Sequence, residues 1–368
     1  MNILVTGGAG YIGSHAVKQL REAGHNVVVL DNLVTGHREA VPNDVPFYQY
    51  DLAQTGQITE LLVKHNIEGV MHFAALIQVG ESVKLPLIYY NNNTAGAISL
   101  LTAMRAANVK KFVFSSTAAT YGEPDEVPIF ETTTQKPINP YGRSKWFVEQ
   151  ILRDEAYADA EFAFTIFRYF NVAGATADAS IGEAHDVETH LIPNILFAAM
   201  GKKEKISVFG TDYPTPDGTC IRDYVHVDDL VNAHLLAMAA LAPGETRYYN
   251  LGSGSGYSVR EMLDAAADVT QCNIPTEYGP RREGDPAVLL ANSDKAKQEL
   301  GWNPKYTDMR EIIETAWRWH RSGLWIGSRF QSLIHNFPPI HKPQPPIHNN
   351  EIRDYYSRWL CRSPGRFF

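Results

Sequence analysis

The chain has 368 residues, of which 44% are hydrophobic and 20% charged, which is enough for a large core and, on our reading, for two domains. A formal net charge of -8 excludes a broad basic face that would follow a nucleic-acid backbone, so an anionic ligand must meet a local cluster of Arg or Lys. Three widely spaced cysteines (Cys220, Cys272, Cys361) exclude a disulfide framework or zinc knuckle, and no apolar run approaches the roughly 18 residues of a membrane span.

The chain runs straight into "NILVTGG" without a basic leader, and the expected compartment is the cytoplasm. Short apolar runs then alternate with helical patterns: "ILVTG", "NVVVLDN", "PFYQYDL", "GVMHFAA", "KKFVFSS" and "FAFTIFRYFN". Strands that are apolar at nearly every position are buried on both faces, and their alternation with helices predicts an α/β fold. The expected architecture is a Rossmann-like, doubly wound parallel sheet over residues 1–174, with a later segment, about 220–235, returning to it. From 175 to 325 the pattern loosens into Gly/Pro-rich loops with helices near 228–241 and 258–270, read as a smaller α/β domain. Residues 326–368 change to "FPPIHKPQPPIHNN" and a short "EIRDYYSRWL", read as an atypical, loosely docked tail.

"VTGGAGYIGSH" joins the first strand to the first helix and carries Gly7, Gly8, Gly10 and Gly13. Such a loop lets backbone N–H groups at a helix N-terminus approach a pyrophosphate. Asp31 falls at the tip of the second strand, roughly 20 residues on, where a carboxylate accepts hydrogen bonds from an adenosine ribose and repels a 2'-phosphate. The expected cofactor is NAD rather than NADP.

Asn139 and Pro140 read as N-cap and first residue of a helix, which places Tyr141 and Lys145 one turn apart on one face. A Tyr and a Lys at this spacing are more often an ordinary surface pair than a functional one. The alternative is a proton-transfer couple. Bringing a phenol from a pKa near 10 to about 8 takes roughly 2.7 kcal/mol, which a cation about 6 Å away supplies at an effective dielectric near 20.

The glycine loop, Asp31, the hydroxyl residue Thr117 after "FVFSS" and the Tyr-x-x-x-Lys helix together resemble the extended short-chain dehydrogenase/reductases. Within them the chain is similar to the UDP-hexose 4-epimerases over roughly residues 1–322, through "VTGGAGYIGSH", "FAALIQVGES", "FSSTAATYG", "NPYGRSK", "RYFNVAGA", "GTCIRDYVHVDDL" and "RREGDP". The resemblance implies reversible epimerisation of UDP-glucose and UDP-galactose at C4, in galactose metabolism, through a 4-keto sugar and transient NADH. It makes Tyr141 the general base and acid, Lys145 the partner that lowers its pKa and holds the nicotinamide ribose, and Thr117 the hydrogen-bond partner of the reacting hydroxyl. It assigns the cofactor to Gly7, Gly10, Tyr11, Ile12, Gly13, Asp31, Asn32, Leu33, Val34, Thr35, Gly36, Asp51, Leu52, Phe73, Ala74, Ala75, Asn93 and Phe170. It assigns the UDP-sugar to Thr117, Asn171, Phe209, Arg222, Arg282, Asp285 and Leu289.

Two departures from the family pattern matter. Ile77 stands where some members carry a Lys near the cofactor, and Leu289 stands where some carry a bulky Tyr, leaving room for N-acetylated UDP-hexosamines. Ala118 and Ala119, after Thr117, cannot move protons, which disfavours dehydratase chemistry. A non-catalytic NAD-binding protein is the rival of another class, and it has no need of Tyr141, Lys145 and Thr117 together. Homodimers are implied by resemblance, through the helical stretches 93–107 and 143–157.

Overall fold

The computed structural model describes residues 1–323 except 186, 283 and 284; the tail expected at 326–368 lies outside the described residues. The first half of the chain runs β1 (Asn2–Thr6), α1 (Tyr11–Glu22), β2 (Asn26–Leu30), β3 (Phe47–Tyr48), α2 (Thr55–Lys64), β4 (Gly69–His72), α3 (Val79–Lys84), α4 (Pro86–Tyr89), α5 (Gly96–Ala106), β5 (Lys111–Ser115), α6 (Pro140–Ala158) and β6 (Ala163–Tyr169). The second half adds β7 (Asn171–Ala173), α7 (Leu191–Ala199), β8 (Ile206–Phe209), β9 (Ile221–Arg222), β10 (Tyr224–His226), α8 (Val227–Ala240), β11 (Thr246–Leu251), β12 (Tyr257–Ser258), α9 (Val259–Thr270), β13 (Thr276–Gly279), β14 (Val288–Leu289), α10 (Asp294–Leu300) and α11 (Met309–Ser322).

Seven strands form one parallel sheet in the order β11-β6-β5-β4-β1-β2-β3. Along β1, Ile3 and Val5 enter one apolar core while Leu4 enters the other, so successive side chains leave through opposite faces and both are covered. This is why the strands read as unbroken apolar runs. The chain order reverses between β1 and β4, and the loops that follow β1, β2, β4, β5 and β6 therefore open on one crevice at the carboxyl ends of the strands.

Two parts of the sheet differ from the sequence reading. The strand expected in "PFYQYDL" is only the two residues of β3, an edge strand. The seventh strand, β11, had no clear apolar run of its own: its first residues, Thr246 and Arg247, lie at the rim and only Tyr249–Leu251 are buried. The expected cap of α6 forms, with Asn139 Oδ1 accepting from Gly142 N at 2.8 Å and Pro140 in the first turn. Before α5, Tyr90–Ala95 winds as a π-helix, a feature the residue pattern did not signal. A third apolar core, including Ile192, Leu196, Val208, Met262 and Ile313, lies among α7, α9, α11 and β8. No helix among the described residues is long and apolar enough to cross a membrane.

Candidate active site

The glycine loop is shaped by close backbone approach. Gly7 has φ +74°, and a Cβ there would sit 2.5 Å from Ala74 N, in the loop after β4. A Cβ on Gly13 would lie 2.0 Å from the Gly7 carbonyl oxygen, so α1 can rest on the loop only with glycine at that position. Gly10 is the N-cap of α1, no side chain caps it, and no acid stands in the first turn. The first N–H groups of the helix, from Tyr11, Ile12 and Gly13, are thus a cradle for an anion. Asp31 stands beside it as an acceptor: its carboxylate is buried, accepts from Ala9 N at 3.0 Å and Leu33 N at 2.8 Å, and is pushed up in pKa by that burial against the two hydrogen bonds.

Farther along the same edge, Asp51 Oδ2 accepts from Asn32 Nδ2 at 3.1 Å, and Val34 N donates to Asn32 Oδ1. Thr35 and Gly36 follow, with Gly36 pressed against Ala9 and the Asp31 carboxylate, and Leu52 lies buried under Gly96. The loop after β4 is stitched to β1 by Phe73 N and Ala74 N, which both donate to Thr6 O, and Ala75 continues it. Asn93, in the π-helix, is fully engaged with protein: Oδ1 accepts from Leu76 N, and Nδ2 donates to Leu76 O and to Ser144 Oγ. It pins that loop to α6 beside Lys145. Ile77, where a cation was missing from the family pattern, is exposed at 41%.

Tyr141 and Lys145 are both buried in the crevice, so the pair is not on the surface. Burial pushes the Tyr141 phenol up, and a hydrogen bond with Thr117 pulls it back down. Lys145 Nζ donates to Ser115 O at 2.9 Å, sits 4.9 Å from the Phe114 ring centroid, and is drawn down by burial to a pKa of about 7. The helical spacing puts both groups on one face, and the Lys145 ammonium is anchored on the carbonyl at the end of β5. The contact that opposes burial at the phenol is the one with Thr117. Thr117 Oγ1 also accepts from Ala119 N at 3.1 Å, which fixes its rotamer. Tyr169 lies close enough to couple electrostatically to Tyr141, and Phe170 and Asn171 follow it.

The remaining expected residues gather at the second part of the crevice. Asn171 Nδ2 donates to Asp223 O at 2.8 Å, next to Arg222. Arg222 is held by Ile221 O and Pro286 O, both at 2.9 Å from Nη1, with Nη2 3.7 Å from Asp285 Oδ1. Arg282 Nε donates to Asp285 Oδ2 at 2.9 Å, and its guanidinium stands 4.9 Å from the Phe209 ring centroid. Leu289 is the strand partner of Arg222. The two forks, one ring and one apolar side chain suit a nucleoside diphosphate: charge and bidentate donors for phosphate, an aromatic face for a base.

Several residues escaped the sequence reading. The Asp223 carboxylate, buried and pushed up in pKa, accepts from Ser253 N and Oγ, Gly254 N and Ala291 N, and so ties β10 to the β14 side. Glu149 and Arg168 form an ion pair at 2.7 Å with side chains 0% and 2% exposed. An arginine inside the apolar run "FTIFRYF" was the signal for that pair. Glu183, His185, Glu188 and His190 cluster in the segment before α7, with His190 paired to Glu183 and raised by it to a pKa of about 8.

A sequence model of the NAD dependent epimerase/dehydratase family matches residues 3–252. The chain is 53% identical over 325 residues to "UDP-glucose 4-epimerase" of Lacticaseibacillus casei, covering 88% of this chain and 97% of that one. A crystal structure of UDP-glucose 4-epimerase superposes with a TM-score of 0.85 at 52% identity, over 88% of this chain and 98% of the other. The UDP-glucose-4-epimerase from Stenotrophomonas maltophila, solved with bound NAD and formylated UDP-arabinopyranose, gives 0.84 at 41% identity over the same shares. By the extent of these matches, the chain belongs to the NAD dependent epimerase/dehydratase family.

Proposed function

We propose that this protein interconverts UDP-glucose and UDP-galactose by inverting C4 of the hexose. The observation that carries the reading is one buried constellation, Tyr141 hydrogen-bonded to Thr117 and Lys145 set on the Ser115 carbonyl, in a chain that also builds a glycine cradle and joins Arg222 and Arg282 at Asp285. Relatives of the same name, at half identity over nearly their whole length, support it.

NAD is the cofactor, and the site's construction fits it. The uncapped start of α1 and the close-packed Gly7 and Gly13 leave backbone donors for a pyrophosphate, and Asp31 offers carboxylate lone pairs to a ribose hydroxyl. Bound there, NAD supplies a reversible two-electron acceptor for the hydrogen at sugar C4. Residues 31–36, Asp51 and Leu52 border the adenosine, and residues 73–75, Asn93 and Phe170 the nicotinamide half. Lys145 holds a ribose hydroxyl and places its charge beside the phenol.

Tyr141 takes the proton from the sugar 4-hydroxyl as C4 is oxidised, and gives it back when the 4-keto sugar is reduced on its other face. Thr117 hydrogen-bonds the same hydroxyl and favours the phenolate. Asn171, Phe209, Arg222, Arg282 and Asp285 grip the UDP, so the hexose turns while its nucleotide stays anchored. Ala118 and Ala119 offer no second proton carrier, which leaves epimerisation rather than elimination. A second reading rests on Leu289, half-buried beside Arg222: an aliphatic side chain leaves space for a 2-acetamido group, so UDP-N-acetylhexosamines are turned over too. Turnover of UDP-N-acetylgalactosamine below about a hundredth of the UDP-galactose rate, a loss of about 2.7 kcal/mol in the transition state, would sink this second reading alone.

The domain division follows the chemistry: residues 1–174 hold NAD, rejoined by the 220–235 segment and by β11 (Thr246–Leu251), which adds the last strand of their sheet, and the rest of 175–325 holds the UDP-sugar. The working form is a cytoplasmic homodimer, supported by large exposed side chains Ile98, Phe147 and Tyr157 on α5 and α6 and by the free thiols of Cys220 and Cys272. The deciding experiment incubates the protein with each UDP-sugar, without added NAD, and follows the anomeric NMR signals. Interconversion of UDP-glucose and UDP-galactose is expected; NAD binding with no change in any UDP-sugar would leave the non-catalytic rival.

A further inference from the structure

Glu149 lies one turn beyond Lys145 and two beyond Tyr141 on α6, so the three share a stripe facing the end of β5. Its two oxygens are saturated. Oε1 accepts from Ser116 Oγ at 2.5 Å and Arg168 Nε at 3.1 Å; Oε2 accepts from Arg168 Nη2 at 2.7 Å and Gln135 Nε2 at 2.8 Å. Arg168 Nη1 goes on to Tyr121 OH at 2.9 Å and Glu131 O at 3.2 Å. Tyr121 OH donates to Asn250 Oδ1 at 2.7 Å, Asn250 Nδ2 donates to Ile129 O at 2.9 Å, and Ile129 N donates to Leu290 O at 2.8 Å, beside Leu289.

A buried ion pair of this kind is weak as a source of stability, since well-packed apolar residues serve a core at least as well. What it fixes is geometry. The segment it grips through Ser116 is the one whose Ser115 carbonyl holds the Lys145 ammonium and whose Thr117 hydroxyl meets Tyr141. From the same pair, a chain of short hydrogen bonds runs to the strand that carries Leu289. We propose that Glu149 and Arg168 are positioning residues that set Ser115 and Thr117 against Tyr141 and Lys145, and keep the sugar-side strand in register with them. This rests on the reading of Tyr141 as proton carrier.

The groups that meet Tyr141 are Thr117 after β5, Tyr89 on α4 and Tyr169 on β6; Lys145 lies one turn on along the same helix face, with His72 of β4 near it. A displaced Thr117 weakens the hydrogen bond that lowers the phenol pKa, so the acid limb of the kcat profile moves to higher pH. Glu149→Gln and Ser116→Ala are compared with the parent full-length protein for kcat, KM, pH profile, bound NAD and thermal melting. Ser116→Ala keeps the ion pair and decides the matter should Glu149→Gln, which strands a guanidinium, fail to fold. The expected result is a kcat lower by about tenfold or more, with KM within about threefold and the limb displaced upward, the mark of lost positioning. A lowered melting temperature with parental kcat and pH limb would overturn the proposal. Tyr141→Phe, run alongside, separates the two ideas: if it is inactive while Ser116→Ala is parental, only the positioning role fails; if it is fully active, the proton-transfer reading itself fails.

Discussion

Thr117→Val removes one hydroxyl from the site and almost nothing else. The side chain is 7% exposed, valine matches its shape, and no cavity opens. Two hydrogen bonds disappear: the one that pulls the Tyr141 phenol down, and the one accepted from Ala119 N at 3.1 Å. A hydrogen bond to a group that becomes charged contributes about 1.5–3 kcal/mol, which converts to a loss of about ten- to a hundred-and-fifty-fold in kcat. The orphaned Ala119 N–H costs about 1 kcal/mol of stability and a few degrees of melting temperature. The assay is conversion of UDP-galactose across pH 6–10, with bound NAD measured on the same samples. The acid limb should move to higher pH because the phenol is left with burial, which raises it, and without its opposing bond. Thr117→Ser restores the hydroxyl and should restore the profile. A Thr117→Val protein with parental kcat and an unmoved limb would refute the reasoning, since the hydrogen bond would then have no part in the reaction.

Three further outcomes follow from single contacts. Gly13→Ala places a Cβ 2.0 Å from the Gly7 carbonyl oxygen; the loop must move, and the purified protein should carry less than about a tenth of the parental NAD by absorbance. Arg222→Met removes a fork already aimed by two carbonyls and should raise the KM for UDP-galactose about tenfold or more while kcat falls much less, because the lost contact is to the anchor. His190 has a folded pKa of about 8, above its ordinary 6.5, because Glu183 hydrogen-bonds it against the cost of burial. Its contribution to stability is therefore full below about 6.5 and lost as pH rises through about 8, so the melting temperature should fall over that window in the parent and stay flatter in His190→Asn.

Much of this was legible in the chain, for physical reasons that differ by residue. The glycine loop could be read because backbone approach at Gly7 and Gly13 admits only one residue type. Asn139-Pro140 gave the helix start because an amide and a proline ring do local work there. The direction of the Lys145 side chain was not legible, because its partner, the Ser115 carbonyl, lies 30 residues away and is brought in by the sheet. Glu149 was missed for the same reason: it looks like a surface charge until β6 and α6 meet, and Arg168, conspicuous in its apolar run, did not by itself name a partner. β11 was missed because its exposed first residues dilute the apolar signal. Arg222, Arg282 and Asp285 could be named only through resemblance, since a loop arginine alone says nothing about phosphate; the structure brings them together around one carboxylate.

The central claim, that Tyr141 moves only the hydroxyl proton while the C4 hydrogen leaves and returns within the closed site, is tested by running UDP-galactose to equilibrium in deuterium oxide without added NAD. The account requires UDP-glucose that carries its original hydrogen at C4 and no deuterium there. Deuterium at C4 of the product would contradict it, because C4 would then have exchanged with solvent.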